Sequence, residues 1–394
     1  MISVTQALKI VDNATREAGS CKTISIQEAI GYVTCENIIA PISMPPFRQS
    51  AMDGYAVNRH KKNNYSLIGE IKAGDANNLR LNKGEAVRIF TGAPVPDSAN
   101  AVVMQEKVSV SNAMLTIMTP INDQMNIRPL GEQVLNGQVA LNKGTKITAA
   151  GIGYLASLGI SEISVYEKPK IAIVVTGNEL VSSGEDLNFG QIYESNAQML
   201  AANLKSCGFD QITVHHVLDN YKSTVNSLNT ILKSNDVLLV SGGISVGDYD
   251  FVGKALDEIG VTTLFYKVRQ KPGKPLFFGK KEDKYVFALP GNPAAALSCC
   301  YIYVIPALQK ISGMKDFNLH KIQAISQSSI KTPGDRSQFL KAIYKNNQVD
   351  ILEGQNSSML QTFALANALV QVPEEINEIH INDKVEVLLL PVNI

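Results

Sequence analysis

Five apolar runs between residues 170 and 290 are each followed by residues that can do chemistry. After IAIVV comes Thr176-Gly177-Asn178-Glu179, and after HHVL comes Asp219-Asn220. After VLLV come Ser241-Gly242-Gly243 and then Gly247-Asp248-Tyr249-Asp250. After LFYKV comes Lys271-Pro272-Gly273-Lys274-Pro275, and after YVFAL comes Pro290-Gly291-Asn292-Pro293. Glu179, Asp219, Asp248 and Asp250 supply hard oxygen ligands of the kind Mg²⁺ takes. Lys271 and Lys274 are compact cations suited to phosphate or another oxyanion. Ser241-Gly242-Gly243 and Pro290-Gly291-Asn292-Pro293 expose backbone N–H groups ahead of helices, where anions bind. Together these segments describe a site for a phosphorylated, Mg²⁺-bound ligand. Taken singly, each also has a purely structural use: glycines end strands, Asp219 can cap the next helix, and Pro290 to Pro293 can be turn chemistry. His215–His216 in a strand and Cys299–Cys300 in an apolar helix read as packing residues rather than ligands.

The elements that must hold these segments alternate strictly from residue 170 onward. Strands are predicted at IAIVV, ITVHHVL, DVLLV, VTTLFYKV and YVFAL, with helices over 196–206, 222–233, 251–259 and 293–310. Alternation of this kind gives an open α/β sheet with helices on both faces, and ligands bind beyond the carboxyl ends of its strands. Residues 3–18 are predicted to be an amphipathic helix, with Ser3 and Gln6 at capping-box spacing and Val4, Ala7, Leu8 and Val11 on one face. Residues 55–145 alternate short apolar runs with turn residues and read as an all-β module. Residues 148–161 are small, apolar and helical, and the chain beyond about 318 is again β-rich, a small closed sheet.

Length and composition set outer bounds. The 394 residues suffice for two or three domains. The 36 basic residues balance the 36 acidic ones, which argues against a nucleic-acid partner held by bulk charge. No apolar run is expected to reach the ~18 residues of a membrane span, and the N-terminus lacks a signal-peptide profile. The five cysteines show no CxxC spacing; their odd number leads us to expect reduced thiols and a cytoplasmic location.

In order along the chain, SAMDGYAV (50–57), RIFTGAPVP (88–96), TGNEL (176–180), SGGISVGDYDF (241–251), KPGKP (271–275) and LPGNP (289–293) resemble the motifs of the MoeA/gephyrin E-domain family, the molybdopterin molybdenumtransferases. The resemblance covers essentially the whole chain. It implies a multidomain α/β plus β chain: a linking and dimerisation domain (1–48 and 138–168), an inserted β-rich domain (49–137), a molybdopterin-binding α/β domain (169–315) and a C-terminal β-barrel domain (316–394). It implies Mg²⁺-dependent insertion of molybdate into adenylylated molybdopterin with release of AMP, by a homodimer whose active site lies between the α/β domain of one subunit and the 50–140 module of the other. Transient contact with the molybdopterin adenylyltransferase also follows. The carried-over catalytic positions are Asp53, Thr91, Glu179, Asp219 and Asp250, with Glu179, Asp219 and Asp250 as metal ligands. The carried-over substrate-binding positions are Ser241, Gly242, Gly243, Lys271, Lys274, Pro290, Gly291, Asn292, Arg336 and Ser357. Of these, Lys271, Lys274, Arg336 and Ser357 form the implied molybdate pocket, where two ammonium groups, a guanidinium and a hydroxyl suit a tetrahedral dianion.

The chain departs from the family pattern at four places. Gln133 replaces an aspartate, Lys341 replaces an arginine of the C-terminal basic motif, Gln355-Asn356-Ser357 replaces Gln-Gly-Ser, and Ala294 to Ala296 stand where a serine is common. Two other readings compete: a non-catalytic dimeric scaffold of the same family, and the adenylyltransferase itself. Retention of Asp53, Glu179, Asp250, Lys271 and Lys274 disfavours the scaffold. The four-part length disfavours the adenylyltransferase, which needs only the α/β domain.

Overall fold

The computed structural model describes residues 1–394 except 17–18, 76–78, 218–219, 245–250, 316 and 393–394. Two compact units emerge: residues 1–21 with 166–394, and residues 22–165.

The first unit is built on a six-stranded sheet in the order Ile212–Val217, Ile171–Thr176, Val237–Ser241, Lys284–Leu289, Pro275–Lys281, Thr262–Lys267. The first four strands are parallel, and the last two join antiparallel. The central strands Ile171–Thr176 and Val237–Ser241 are buried along their whole length, as expected when helices cover both faces of a parallel sheet. One layer of core joins Ile171, Ile173 and Val175 to Leu200, Phe278, Phe287 and Tyr303; the opposite layer joins Ala172 and Val174 to Leu228, Leu238, Val252 and Leu256. The strand Pro275–Lys281 was not foreseen, because Pro275 and the Lys280–Lys281 pair mask its apolar run of Leu276, Phe277 and Phe278.

The apolar helix predicted over 293–310 runs from Pro293 to Ile311, with a π turn at Cys300–Val304. Contrary to the expectation that no apolar run is long enough, these 19 residues pass for a membrane span by length and composition, yet 83% of the stretch is buried inside the fold. Cys299 and Cys300 are wholly buried within it, and burial pushes the Cys300 thiol up to about 12. The amphipathic helix at the N-terminus is shorter than predicted, Val4–Ala14, because Thr15 is extended and turns its hydroxyl back on the Val11 carbonyl. Ser3 and Gln6 do form a reciprocal capping box, a device worth about 1 kcal/mol. Val4, Ala7 and Val11 join the sheet's core.

A closed five-stranded barrel follows in the same unit. Its strands run Ser337–Lys345, Gln348–Ile351, Lys321–Ser326, Lys384–Leu389 and Ala368–Val372, and the last pairs back onto the first. Gln270–Lys271 adds to this barrel in parallel with Ser337 and Gln338. That addition brings the lysine-bearing loop beside Arg336.

In the second unit, six strands lie in the order Ala101–Met104, Gly54–Val57, Glu85–Ile89, Asn64–Ile71, Met114–Ile117, Val108–Ser111, the β module read from the sequence. Short pairs, Ile127–Arg128 with Gln49–Ser50 and Val139–Leu141 with Ile38–Ile39, and the helix Ala149–Ser157 complete it. The expectation of reduced thiols throughout is corrected here. Cys21 and Cys35 are disulfide-bonded, and only Cys207, Cys299 and Cys300 are free. Both bonded cysteines lie along the strand Glu162–Tyr166: Cys21 begins the strand that pairs with it, and the Cys35 amide donates to Ser164. Spacing along the chain does not announce that proximity, and the thiol argument for a reducing compartment falls with it.

Candidate functional site

A cleft of about 940 Å³ opens at the carboxyl ends of the parallel strands of the first unit. Its walls are loops from four strand ends and from the barrel. Of the residues singled out in the sequence, Glu179, Ser241, Gly242, Gly243, Lys271, Lys274, Pro290, Gly291, Asn292, Arg336 and Ser357 all line it. Asp53 and Thr91 belong to the other unit. Asp219, Asp248 and Asp250 lie outside the described residues.

Charge is segregated within the cleft. Lys267 ends the strand Thr262–Lys267, Lys271 and Lys274 follow in the next segment, and Arg336 precedes the barrel strand Ser337–Lys345, while Glu179 and Glu194 come from the segment after Ile171–Thr176. Among the described residues, Lys271, Lys274 and Arg336 form no ion pair. Cations gathered without anions on one wall are a binding site for an anion. Gly273 makes the lysine loop possible: its φ is +84°, and a Cβ there would meet Cys299 Sγ at 2.5 Å and Gln270 Nε2 at 2.9 Å. Gln270 is fully buried beneath the loop. Its Nε2 donates to the Pro272 carbonyl at 3.1 Å, and its Oε1 accepts from the Tyr303 hydroxyl. The loop that presents Lys271 and Lys274 is therefore pinned by a buried amide with both ends satisfied.

At the other wall, Asn196 was missed in the sequence because only strand ends were searched, and Asn196 begins a helix. Its Nδ2 donates to Ser241 Oγ and to the Gly291 carbonyl, each at 2.8 Å, tying two strand-end loops together. Among the described residues its buried Oδ1 has no partner, and neither has Thr176 Oγ1. Both residues line the cleft. Buried polar atoms without partners are costly and rare, so two in one cleft mark places where a ligand completes the hydrogen bonding. Glu194, also unforeseen, is buried and accepts the Ala197 amide at 2.8 Å, which orders the start of that helix. Gly177 has a φ of +151°, a backbone conformation that disfavours any side chain there.

The barrel loop 354–358 forms the remaining wall. Asn292 Nδ2 donates to Ser357 Oγ at 2.8 Å, and the Ala295 amide donates to the Ser357 carbonyl at 3.2 Å. Lys341, read from sequence as the second basic residue of an oxyanion motif, does not line the cleft. It is 3% exposed, and its Nζ donates to the carbonyls of Gly354, Asn356 and Met359 at 2.7, 3.2 and 3.1 Å. It lies on the face of its strand that also carries Phe339, so its stem runs through packed surroundings, and burial lowers its pKa.

In the second unit, Asp53 Oδ1 accepts from both the backbone amide and the hydroxyl of Thr91 at 2.7 Å. Those two bonds, and the nearby Arg88 guanidinium, hold the Asp53 carboxyl below its ordinary range. Gly54 follows because a Cβ there would strike the Val103 carbonyl at 2.0 Å. Arg88 packs over Tyr55 and Phe90, with its guanidinium 4.9 and 5.1 Å from the ring centres. Gln133 is exposed in the same unit.

Comparison with known proteins agrees along the whole chain. Residues 2–159 match the family described as MoeA N-terminal region (domain I and II), residues 172–310 that described as Probable molybdopterin binding domain, and residues 323–390 that described as MoeA C-terminal region (domain IV). A molybdopterin molybdenumtransferase of Haemophilus influenzae is 33% identical over 362 residues, 89% of each chain. Another of Staphylococcus epidermidis is 30% identical over 405 aligned positions, covering 100% of this chain and 96% of its own. The crystal structure of a molybdopterin biosynthesis MoeA protein from Pyrococcus horikoshii superposes with a TM-score of 0.86 at 27% identity, covering 99% of this chain and 100% of that one. With a cleft built from strand-end loops and a barrel loop, and with such relatives over its full length, the chain belongs to the MoeA family of molybdopterin molybdenumtransferases.

Proposed function

We propose that this chain inserts molybdenum into adenylylated molybdopterin and releases AMP, the last step of molybdenum cofactor synthesis. The observation that carries the reading is the convergence of Lys271, Lys274 and Arg336, unpaired among the described residues, on one wall of a cleft that also holds Ser357. Two ammonium groups and a planar guanidinium neutralise a tetrahedral dianion from several directions. Ser357 Oγ accepts from Asn292, which leaves its own proton free to donate to that dianion. The substrate's phosphates belong at the opposite wall, where the Thr176 hydroxyl, without a partner among the described residues, can donate to them, while Asn196 Oδ1, an acceptor, suits an N–H or O–H of the substrate. There Ser241, Gly242, Gly243, Pro290 and Gly291 keep the approach open for a phosphate chain.

The family implies Mg²⁺, and the hard oxygens of Glu179 and the unpartnered Thr176 hydroxyl fit such an ion in donor chemistry. The described residues alone hold no group of three acidic, histidine or cysteine ligands. Glu179 would hold the metal together with Asp219 and Asp250, and it would neutralise the phosphates and polarise the anhydride when bound. Catalysis by the chain itself is then positioning and electrostatics: it fixes an oxyanion against an anhydride and stabilises the charge that develops as AMP leaves. Asp53 and Thr91 enter this reading from the second subunit of a homodimer, and the adenylyltransferase is the transient partner that delivers substrate.

The test is a split of constants. Lys274→Ala should raise the half-saturating molybdate concentration at least tenfold and change affinity for the adenylylated pterin less than threefold. An equal loss of both would remove the assignment of the lysine loop to the oxyanion. Asp250→Asn should abolish AMP release in a folded protein; unchanged turnover would take Asp250 out of the reaction.

A further inference from the structure

Lys341 is a buried ammonium whose three protons are all spent on carbonyl oxygens of one loop. No carboxylate among the described residues forms an ion pair with it, so its charge is solvated by backbone dipoles alone. The loop is bolted to the same residue a second time through the main chain. The Lys341 amide donates to Gln355 Oε1 at 2.9 Å, and Gln355 Nε2 donates back to the Lys341 carbonyl at 2.9 Å. Gly354 permits this close seating: its φ is +75°, and a Cβ there would meet Thr362 Oγ1 at 2.6 Å.

The consequence lies on the other side of the loop. In a trans peptide, N–H and C=O point in opposite directions. Carbonyls of Gly354 and Asn356 turned inward to Lys341 therefore turn the amides of Gln355 and Ser357 away from it. Residues 355–358 line the cleft. Among the described residues, the backbone amides of Gln355, Asn356, Ser357 and Ser358 have no acceptor, whereas those of Met359 and Leu360 do. Successive unpaired amides on a loop form a concave anion cradle.

The geometry points to Lys341 as a positioning residue that, from behind the loop, turns the amides of Gln355 and Ser357 toward the oxyanion and lends them its uncompensated positive charge. It acts through the loop and never touches the ligand. This inference rests on the oxyanion reading of the cleft, and it adds backbone donors to the side-chain donors assigned above.

The decisive experiment measures equilibrium binding of molybdate, and of the adenylylated pterin, to the full-length protein and its variants. Lys341→Met keeps the stem and removes the charge. It should weaken molybdate binding at least tenfold and leave the pterin within threefold. Lys341→Arg, which keeps the charge, should restore molybdate binding to within threefold of the parent. A folded Lys341→Met protein with unchanged molybdate affinity overturns the inference while leaving the oxyanion reading intact, as does equal weakening toward both ligands. Failure of the parent protein to bind molybdate at all sinks the oxyanion reading and this inference together. If Lys341→Met does not fold, amide hydrogen exchange on the parent protein decides. Added molybdate should slow exchange at residues 355–358 at least fivefold, and unchanged exchange there contradicts the inference.

Discussion

Asn292 Nδ2 lies 2.8 Å from Ser357 Oγ, across 65 residues of chain, and this bond joins the last strand-end loop of the α/β sheet to the loop that caps the barrel. The Ala295 amide reinforces it from one turn further along. The asparagine side chain makes no cap bond to its own helix, so its donor serves the cleft rather than the helix. A hydrogen bond of this kind is worth about 0.5–1.5 kcal/mol net. Asn292→Ala should therefore raise the half-saturating molybdate concentration about three- to tenfold. Thermal stability should change little, because the residue is exposed. Titration of molybdate-dependent turnover checks this, and an unchanged midpoint contradicts it.

Thr176 offers the opposite balance of stability and binding. Its hydroxyl is buried, with no partner among the described residues, at the end of a fully buried strand. Thr176→Val keeps the shape and removes the cost of that unpaired group, roughly 1–3 kcal/mol by mutational data. The variant should be as stable as the parent or more so, and it should bind the phosphorylated substrate more weakly. Calorimetric unfolding with substrate titration tests both halves. A variant less stable by more than about 1 kcal/mol would contradict the claim that the hydroxyl has no partner in the ligand-free fold.

Gly273 is held by geometry on two counts, a positive φ and the nearness of Cys299 Sγ and Gln270 Nε2. Gly273→Ala should cost about 1–3 kcal/mol, because the clash sits in a packed interior that cannot yield freely. It should also displace the lysines on either side. The double variant with Cys299→Ala should recover part of the stability, since it removes the nearer obstacle. A Gly273→Ala protein with the parent's melting temperature and molybdate affinity would show that the loop is not pinned as described.

The Asp53 carboxyl carries a pH signature. Its pKa is lowered first by the backbone amide of Thr91, then by the Thr91 hydroxyl, with the Arg88 charge adding to both. A depressed carboxylate contributes stability that is present above the ordinary aspartate range of ~4 and is lost as pH falls through the lowered value. Carboxyl-carbon NMR should find Asp53 titrating below that range, and Thr91→Val should move the midpoint upward. A midpoint unmoved by Thr91→Val would deny the hydroxyl bond, the one that this substitution removes.

Much of this site was legible before any coordinates, and the reason is topological. Parallel strands end at one edge of a sheet, so residues that follow them converge however far apart they lie in the chain. That rule alone assembles Glu179, Ser241, Lys271, Gly291 and Asn292. Asn196 and Glu194 escaped it because they precede a helix instead of following a long strand. The fate of Lys341 was not legible because a lysine in an alternating strand reads as exposed. Only closure of the barrel, with loop 354–359 folded across the strand, puts it inside. Similarly, the disulfide state of Cys21 and Cys35 depends on which strands lie side by side, and cysteine spacing carries no trace of that. Gln270 illustrates the same limit: its sequence neighbours advertise the lysines, while its buried amide holds them in place.

The central claim is that the cleft joins an oxyanion to an adenylylated pterin. The most direct measurement is AMP release from adenylylated molybdopterin by the purified protein with Mg²⁺, in the presence and absence of molybdate. The account predicts release that molybdate stimulates at least tenfold and that yields cofactor able to activate a molybdenum-dependent apoenzyme. Tight binding of the adenylylated pterin with no release at any molybdate concentration would contradict it.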